Sequence, residues 1–289
     1  MDISLGFSPC PNDTFIFDAL VNNKIENPNY QFHVEYQDVE TLNQKAFKGE
    51  LDVTKLSFHA FSHLVDKYEL LDSGSALGFG VGPLLICKDS DLAAELSSFA
   101  GKELPDKFKN LKIGIPGKFT TANFLIGLAF PQLTNKVELV FSEIENALLS
   151  EEIDLGLIIH ENRFTYQDKG LHKIVDLGKF WEEKTNSPIP LGGIVVKRSL
   201  PLEVKKDINK LVRNSVVFGF ENPTSGTEYI KAHAQEMDEN VISKHIELYV
   251  NTFTEDLGTE GKQAILNMFK EAQDLKLIPL ITKNIFIEK

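Results

Sequence analysis

Short apolar segments of strand length alternate with segments of helical periodicity in the N-terminal part of this chain. Residues 2–7 and 31–36 alternate polar and apolar side chains, as half-buried strands do. Residues 40–48 and 58–65 place their apolar side chains at helical spacing. A β–α–β–α order requires crossover connections, which are right-handed and build a parallel sheet. This order predicts the fold class, an α/β protein.

Two later segments divide the chain, because they resemble each other and enclose a second pattern of the same kind. Residues 82–88 and 191–197 are both apolar strands with glycine near the start and lysine at the end. Between them, residues 111–159 again alternate strands with helices, and the chain beyond residue 197 turns helical. The two similar segments are therefore expected to be antiparallel hinge strands on either side of an insertion.

The predicted architecture has two lobes. Residues 1–88 and 194–289 form a discontinuous first lobe, and residues 89–193 form an inserted second lobe. Two α/β lobes joined by two hinge strands are similar to the type II periplasmic-binding-protein fold, which has a ligand cleft between the lobes. Open α/β sheets bind ligands at the carboxyl ends of their strands and at helix N-termini. The candidate site residues are therefore those that follow strands.

The charge balance limits the class of partner. With 42 acidic and 30 basic residues, the net charge of −12 argues against a nucleic-acid backbone or an anionic membrane surface as partner. No apolar run approaches the roughly 20 residues that span a bilayer. The partner that we expect is a small-molecule carboxylate, bound by a local cluster of donors. The sequence also leaves open that the protein forms a homodimer.

The first residues and the cysteines bear on location and cofactors. The sequence MDISLGFS has no basic region, long apolar stretch or small-residue cleavage site, so we expect a cytoplasmic protein. Cys10 and Cys87 are too few for a disulfide framework and lack metal-binding spacing. The sequence also contains no P-loop, dinucleotide fingerprint or zinc motif. We therefore expect neither a metal nor a cofactor.

The first candidate segment is SPCPNDTFIF, residues 8–17, which follows the first predicted strand. Asn12 or Asp13 is expected to cap the next helix and to shape one edge of a binding site, because such side chains satisfy the N–H groups at a helix start. A nucleophilic thiolate at Cys10 would need a partner base, and the sequence places none nearby. A rigid structural turn is the competing interpretation of this segment.

The second candidate segment is Lys55-Leu56-Ser57, at the end of the third predicted strand. Ser57 either caps the next helix or offers its hydroxyl and N–H groups to a ligand carboxylate. Lys55 either neutralises that carboxylate or is a solvated charge. His59 and His63 have the i, i+4 spacing of a metal-binding pair, but without a third ligand the sequence favours surface or capping roles.

The third candidate segment is the strand-to-helix turn of residues 116–122, which contains Thr120, Thr121 and Ala122. Hydroxyl and N–H groups at a helix start can bind an anion. A simple helix cap explains one threonine, but it does not explain a pair preceded by glycine. By the pseudo-symmetry of the two lobes, this turn is expected to face Ser57 across the cleft.

The fourth candidate is His160, which follows the apolar strand of residues 154–159. Histidine titrates near neutral pH and is the most common general acid or base. Glu161 is a candidate to orient the ring, and the competing interpretation is a polar residue that only ends a strand. The position directly after a buried strand favours the functional interpretation, so His160 is the candidate base.

Several long motifs occur in the order typical of one enzyme family: SPCPNDTFIF, DVTKLSFHAF, GFGVGPLLI, GKFTTANFL, IHENRFTYQDKGL and PLGGIVVKRSL. In these motifs the chain resembles the 1,4-dihydroxy-6-naphthoate synthases of the futalosine route to menaquinone. The resemblance implies a lyase with a type II periplasmic-binding-protein fold. Such a lyase converts cyclic dehypoxanthinyl futalosine into 1,4-dihydroxy-6-naphthoate and releases dihydroxyacetone.

The resemblance also implies roles for individual residues. In the family, the histidine of the motif IHE-x-RFTY is the proton acceptor, and this residue is His160 here. Substrate contacts fall on residues 55–57 and on residues 120–122. The chain has Asn162 where the family often has glycine. This difference is expected to alter the local loop and to leave His160 in place.

Two alternative functions stay open. Chorismate dehydratase shares the fold and the pathway, but its expected N-terminal pattern differs from SPCPNDTF. A non-catalytic cytoplasmic small-molecule binding protein is the alternative from another class. The lack of a signal peptide and the candidate base at the expected cleft both count against a binding protein.

Overall fold

The structure is a computed structural model that describes residues 1–27, 29–234 and 238–288. The strands in this part of the chain are β1 (Asp2–Phe7), β2 (Gln31–Tyr36), β3 (Val53–Ser57), β4 (Tyr68–Leu70), β5 (Ala76–Gly78), β6 (Leu84–Cys87), β7 (Ile113–Ile115), β8 (Lys136–Glu138), β9 (Leu155–Ile158), β10 (His172–Asp176) and β11 (Ile189–Lys197).

The α-helices of the same described ranges follow in chain order. They are α1 (Pro11–Val21), α2 (Val39–Lys48), α3 (Phe58–Ser62), α4 (Ser90–Ser97), α5 (Thr121–Ala129), α6 (Ile144–Leu149), α7 (Asn162–Thr165), α8 (Leu177–Thr185), α9 (Leu202–Glu221), α10 (Thr227–His233), α11 (Glu239–Tyr249), α12 (Thr252–Glu255) and α13 (Gly258–Asp274).

The chain divides into two compact units. The first unit contains residues 1–78 and 190–289, and the second contains residues 79–189. The chain therefore passes between the units after residues 78 and 189, whereas the sequence pattern places these passages after residues 88 and 193. Each unit has its own sheet with helices packed around it.

The sheet of the first unit is mixed, with the strand order β2-β1-β3-β11-β4 and with β5 paired to β11. β1 lies parallel to β2 and to β3, where Leu5 is opposite Val53 and Gly6 is opposite Thr54. β11 lies antiparallel to β3 and β4. The strands of the N-terminal β–α–β–α pattern are thus the parallel part of this sheet.

The sheet of the second unit has the order β10-β6-β9-β7-β8. β7 lies parallel to β8 and β9, whereas β6 lies antiparallel to β9 and β10. From sequence, residues 82–88 are expected to be a hinge strand of the first lobe. Instead, β6 belongs to the second unit, because its hydrogen-bonding partners are strands of that unit. β6 and β11, although similar in sequence, lie in different sheets.

The core of the first unit forms where α1 and α9 pack with each other and with the sheet. Helix α1 is buried on all sides, so Phe15, Ile16 and Phe17 follow one another without the polar side chains that an exposed helix face would carry. The ring of Phe17 stacks on that of Phe7 in β1 with centroids 4.3 Å apart. In α9, Ile208, Val212 and Val216 recur every four residues and present one buried face.

The core of the second unit lies between its sheet and the short helices that follow the strands. Ile144 and Leu148 of α6 pack with Leu84, Ile86 and Ile158 of the sheet. Within the described ranges, no helix combines the length and the apolar character needed to cross a membrane.

Gly82 provides a test of the packing in the second unit. A Cβ at Gly82 would lie 2.2 Å from the Cα and N atoms of Gly178, so Gly82→Ala forces two backbone segments apart. We expect this variant to lose about 1–3 kcal/mol of unfolding free energy, as overpacked sites do. Urea unfolding of the purified variant measures this loss.

Gly127→Ala is the matched control, because Gly127 lies in α5 of the same unit and a Cβ there would meet nothing within 4 Å. Alanine favours a helix over glycine by about 0.5–1 kcal/mol, so this variant should be at least as stable as the wild type. Equal stability of the two alanine variants would contradict the packing described for Gly82.

Candidate active site

The candidate residues of each unit follow neighbouring parallel strands. In the first unit, residues 8–14 follow β1, and Ser57 is the last residue of β3, the parallel neighbour of β1. In the second unit, residues 116–122 follow β7, and His160 follows β9, the parallel neighbour of β7. Carboxyl ends of parallel neighbours lie at the same edge of a sheet, so each unit gathers two candidate segments at one edge.

The corner after β1 starts a helix differently from the sequence expectation. The helix cap is Cys10, and Pro11 is the first residue of α1, so neither Asn12 nor Asp13 caps the helix. Proline suits this first position because its missing N–H group would have no helical partner there. The Cys10 carbonyl accepts from the N–H group of Thr14 at 3.0 Å. The prolines therefore fix the start of the helix. The side chains of Asn12 and Asp13 lie within its first turn.

A buried ion pair links this corner to β3. Lys55 Nζ lies 2.7 Å from Asp13 Oδ1, and both residues are at least 94% buried. Lys55 also donates to the carbonyl of Gly74 at 3.2 Å, and Ser8 Oγ donates to Asp13 Oδ2 at 2.8 Å. The interpretation of Lys55 as a solvated charge is therefore wrong, and its charge is already neutralised within the unit.

Asn12 extends the same polar network to a distant helix. Its Nδ2 donates to Asp13 Oδ1 at 2.9 Å, and its Oδ1 lies 2.8 Å from Nε2 of His245. With the amide in this orientation, His245 Nε2 is the donor. His245 is fully buried in α11, on the face that it shares with Ile242 and Tyr249. No local pattern in the sequence of α11 indicated this contact.

Ser57 is the N-cap residue directly before α3, but its side chain makes no capping hydrogen bond to the described residues of that helix. Its N–H group donates to Asn43 Oδ1 at 3.2 Å, and its hydroxyl oxygen lies 3.5 Å from Asn43 Nδ2. Asn43 is completely buried on α2 and was not among the predicted site residues. Leu56 is 0% exposed as a whole residue and lies opposite Gly193 in the pairing of β3 with β11, so the structure shows no surface of it that a ligand could reach.

The first unit also contains Cys10, His59 and His63. Cys10 is 2% exposed. The rings of His59 and His63 lie 5.5 Å apart, and no third His, Cys, Asp or Glu joins them into a metal-binding group among the described residues. In the second unit, burial raises the pKa of the Cys87 thiol to about 11, which leaves little reactive thiolate at neutral pH.

The turn after β7 is a tightly bonded helix start. Thr120 caps α5, accepting from the N–H group of Asn123 at 3.2 Å and donating to the carbonyl of Gly117 at 2.8 Å. Thr121 and Ala122 form the buried first turn. Gly117 has a φ of 141°, which explains the glycine upstream of the threonine pair. The helix directs the positive end of its dipole toward this turn.

A lysine supports the same helix start from the neighbouring strand. Lys136 in β8 donates to Asn123 Oδ1 at 2.8 Å. Burial lowers the pKa of Lys136, because the charged form loses hydration. This contact ties the first turn of α5 to the sheet.

His160 lies two residues after the end of the buried strand β9 and has an unusual backbone conformation. Its φ of 57° lies in the left-handed region, which costs a residue with a Cβ roughly 1–2 kcal/mol. Its ring centroid lies 5.1 Å from that of Phe141. Non-glycine residues in this region cluster at functional sites. The half-buried ring and the backbone strain together single out His160 in this unit.

The turn after His160 is anchored by side chains on both sides. Asn162 Nδ2 donates to Glu145 Oε2, and Lys169 Nζ lies 2.6 Å from the same oxygen. Arg163 donates to the carbonyl of Gly82 and pairs with Asp176 at 3.1 Å. Hydrogen bonds to charged groups contribute about 1.5–3 kcal/mol each, so these bonds together exceed the roughly 1–2 kcal/mol of backbone strain at His160.

Asn162 illustrates what sequence reasoning missed in this turn. It is expected to alter the local loop, and the structure gives it a specific partner in Glu145. Glu145 is 1% exposed and sits among the apolar residues of α6. A lone glutamate in an amphipathic helix gave no signal of this contact.

Comparison with known proteins gives a consistent result. Residues 3–274 match the sequence model of a family described as menaquinone biosynthesis. A Thermus thermophilus protein named 1,4-dihydroxy-6-naphthoate synthase is 42% identical over 271 residues, which cover 94% of each chain. A Streptomyces coelicolor protein of the same name is 37% identical over 284 residues, covering 96% of this chain and 95% of the relative.

Solved structures show the same architecture. A crystal structure of an Archaeoglobus fulgidus protein, 33% identical, superposes with a TM-score of 0.85 over 96% of this chain and 98% of that one. The periplasmic aliphatic sulphonate binding protein of Escherichia coli, 9% identical, superposes with a TM-score of 0.63 over 99% of this chain and 90% of that one. At such low identity the second likeness shows the fold alone. The predicted two-lobed α/β fold of the periplasmic-binding-protein kind is confirmed.

Removing one partner of the Asp13–Lys55 pair should be costly. Lys55→Met leaves the Asp13 carboxylate buried without its counter-charge, and we expect a loss of about 3–5 kcal/mol of unfolding free energy. Urea unfolding measures the loss. Lys48→Met is the control, because the side chain of Lys48 is 70% exposed and its removal should cost less than about 1 kcal/mol.

The double variant Asp13→Asn, Lys55→Met removes both charges and should be more stable than the sum of the single losses predicts. If Lys55→Met proves no less stable than Lys48→Met, the buried pair does not hold the corner in the way described.

Proposed function

The chain belongs to the menaquinone biosynthesis family, and we propose that it is a lyase converting cyclic dehypoxanthinyl futalosine into 1,4-dihydroxy-6-naphthoate. Dihydroxyacetone is the second product, so the atoms of the substrate divide between two products without an oxidant or reductant. The observation that carries the proposal is the 42% identity, over 94% of both chains, to a relative named 1,4-dihydroxy-6-naphthoate synthase. This relationship identifies the chain as an enzyme.

His160 is the general base of the proposed reaction. Its position beyond β9 and its left-handed backbone support this role. Removal of a substrate proton starts a retro-aldol-type opening that releases dihydroxyacetone, and aromatisation of the remaining ring supplies the driving force. A positioned base contributes roughly 10²–10⁴-fold to such a rate. Orientation of the substrate and exclusion of water supply the remainder.

The substrate carboxylate is assigned to Ser57 and to the turn of Thr120, Thr121 and Ala122. The N-terminus of α5 supports this assignment, because a helix dipole and first-turn N–H groups favour an anion. At Ser57, the hydroxyl that does not cap α3 supports it. In this proposal the acidic proton of the substrate is directed to His160.

Residues of the corner after β1 contact a neutral part of the substrate in this proposal. Asp13 already neutralises Lys55, so this pair has no net charge to offer a carboxylate. Asn12, Asp13 and Lys55 therefore suit the hydroxyl groups of the part that leaves as dihydroxyacetone.

Chorismate dehydratase is the alternative enzyme function. Both curated relatives reported above carry the synthase name, which favours the synthase. Incubation of the purified protein with each substrate separates the two functions. Naphthoate absorbance from cyclic dehypoxanthinyl futalosine supports the proposal, whereas consumption of chorismate alone contradicts it.

His160→Asn tests the assignment of the base. Asparagine adopts the left-handed conformation readily, so the backbone is kept while the imidazole is removed. We expect turnover to fall by at least about 10²-fold while substrate affinity stays within a few-fold of wild type. Naphthoate absorbance gives the turnover, and isothermal titration gives the affinity. His160→Ala should lose turnover in the same way.

His172→Asn is the control for this substitution, because His172 is an exposed residue of β10 in the same unit. It should retain wild-type turnover. Near-wild-type turnover of His160→Asn would show that another group is the base.

A further inference from the structure

Glu145 is a buried carboxylate that the proposed reaction does not use. It is 1% exposed and lies on α6 next to Ile144, with Ala147 and Leu148 on the same buried side. An apolar side chain at such a place is often as stable as a paired charge, or more so. Stability alone therefore does not explain why a carboxylate occupies this position.

The two oxygens of Glu145 have unequal surroundings. Oε2 accepts from Asn162 Nδ2 and lies 2.6 Å from Lys169 Nζ. Oε1 is buried and accepts no hydrogen bond from any described residue. Oε2 therefore makes the hydrogen bonds described for this carboxylate, and through Asn162 it anchors the turn to α6.

This turn begins at His160, two residues before Asn162. The backbone bond that would close it, from the N–H group of Arg163 to the carbonyl of His160, is long at 3.4 Å. The next backbone bond of the turn, from the N–H group of Phe164 to the carbonyl of Glu161, is 2.9 Å long, so the bond to His160 is the weaker of the two. The side-chain contacts of Asn162 and Arg163 add further support to the turn.

Arg163 fixes the far end of the turn and Glu145 fixes its middle. The guanidinium of Arg163 bonds the carbonyl of Gly82 and pairs with Asp176, which caps α8. These contacts hold position 163 to two other elements. Only the bond from Asn162 to Glu145 holds position 162 to α6 among the described contacts.

We propose that Glu145 is a positioning residue for His160, which it holds through the hydrogen bond from Asn162. This proposal rests on the proposed function, in which His160 is the base. Glu145 does not touch the substrate in it. Its carboxylate keeps the strained turn in one arrangement, so that the imidazole stays in place for proton removal.

Asn162→Asp is the direct test, because it sets a second carboxylate against Glu145 and replaces attraction by repulsion. We expect kcat to fall at least about tenfold while KM stays within about twofold, since a displaced base slows the chemical step and not binding. The His160 ring proton shifts in NMR spectra should also change, because the ring lies 5.1 Å from that of Phe141. His160→Asn assigns these signals.

The double variant Asn162→Asp, Glu145→Gln restores a carboxylate–amide contact with the two groups exchanged. Its kcat and its His160 shifts should return toward wild type, to within about threefold in kcat, as expected for two residues coupled through one contact. Asn146→Asp is the charge-matched control, because Asn146 neighbours Glu145 on α6 but is exposed. It should leave both readouts unchanged.

Three results would overturn the proposal. They are wild-type kcat and His160 shifts in Asn162→Asp, no recovery of kcat in the double variant, or a loss of kcat in Asn146→Asp as large as that in Asn162→Asp. Should Asn162→Asp not fold, Asn162→Ser removes the amide without adding a charge and should show the same two changes in weaker form. The NMR shifts report the position of His160 without turnover. Shifts that respond as expected in a protein that does not convert cyclic dehypoxanthinyl futalosine would leave the positioning role standing and reject the proposed function.

Discussion

Parallel pairing between neighbouring strands is the constraint on which both groups of candidate residues depend. β3 lies beside β1, and β9 lies beside β7, so their carboxyl ends meet at one edge of each sheet. Segments that are distant in sequence become neighbours within a unit for this reason. The antiparallel strands β11 and β6 run the other way and end at the opposite edges.

Buried charge then fixes the segments that the sheets bring together. In the first unit, Asp13 and Lys55 tie the start of α1 to β3. In the second unit, Glu145 ties the turn after β9 to α6. Charged groups away from water are unfavourable unless they are paired in good geometry, so each set tolerates few alternative arrangements. Rigid polar edges of this kind suit a site that must orient one substrate and one base.

Local patterns predicted much of this arrangement, because strand alternation, helix spacing and a polar residue after an apolar strand are properties of short segments. The position of His160 was predictable on these grounds. Contacts between distant elements were not, since they depend on tertiary packing. The partners of Asn12 and Ser57 are His245 and Asn43, on other helices, and no local pattern named them. Strand pairing is equally non-local, so the sequence pattern assigns residues 82–88 to the first lobe, whereas β6 pairs with strands of the second unit.

The central claim is that the substrate binds at the strand ends of the second unit, with its reacting group at position 160. A crystal structure of the inactive His160→Asn protein with cyclic dehypoxanthinyl futalosine tests this most directly. The account predicts contacts from the substrate carboxylate to the turn of residues 120–122, with the reacting carbon beside residue 160. A substrate bound away from these residues would contradict it.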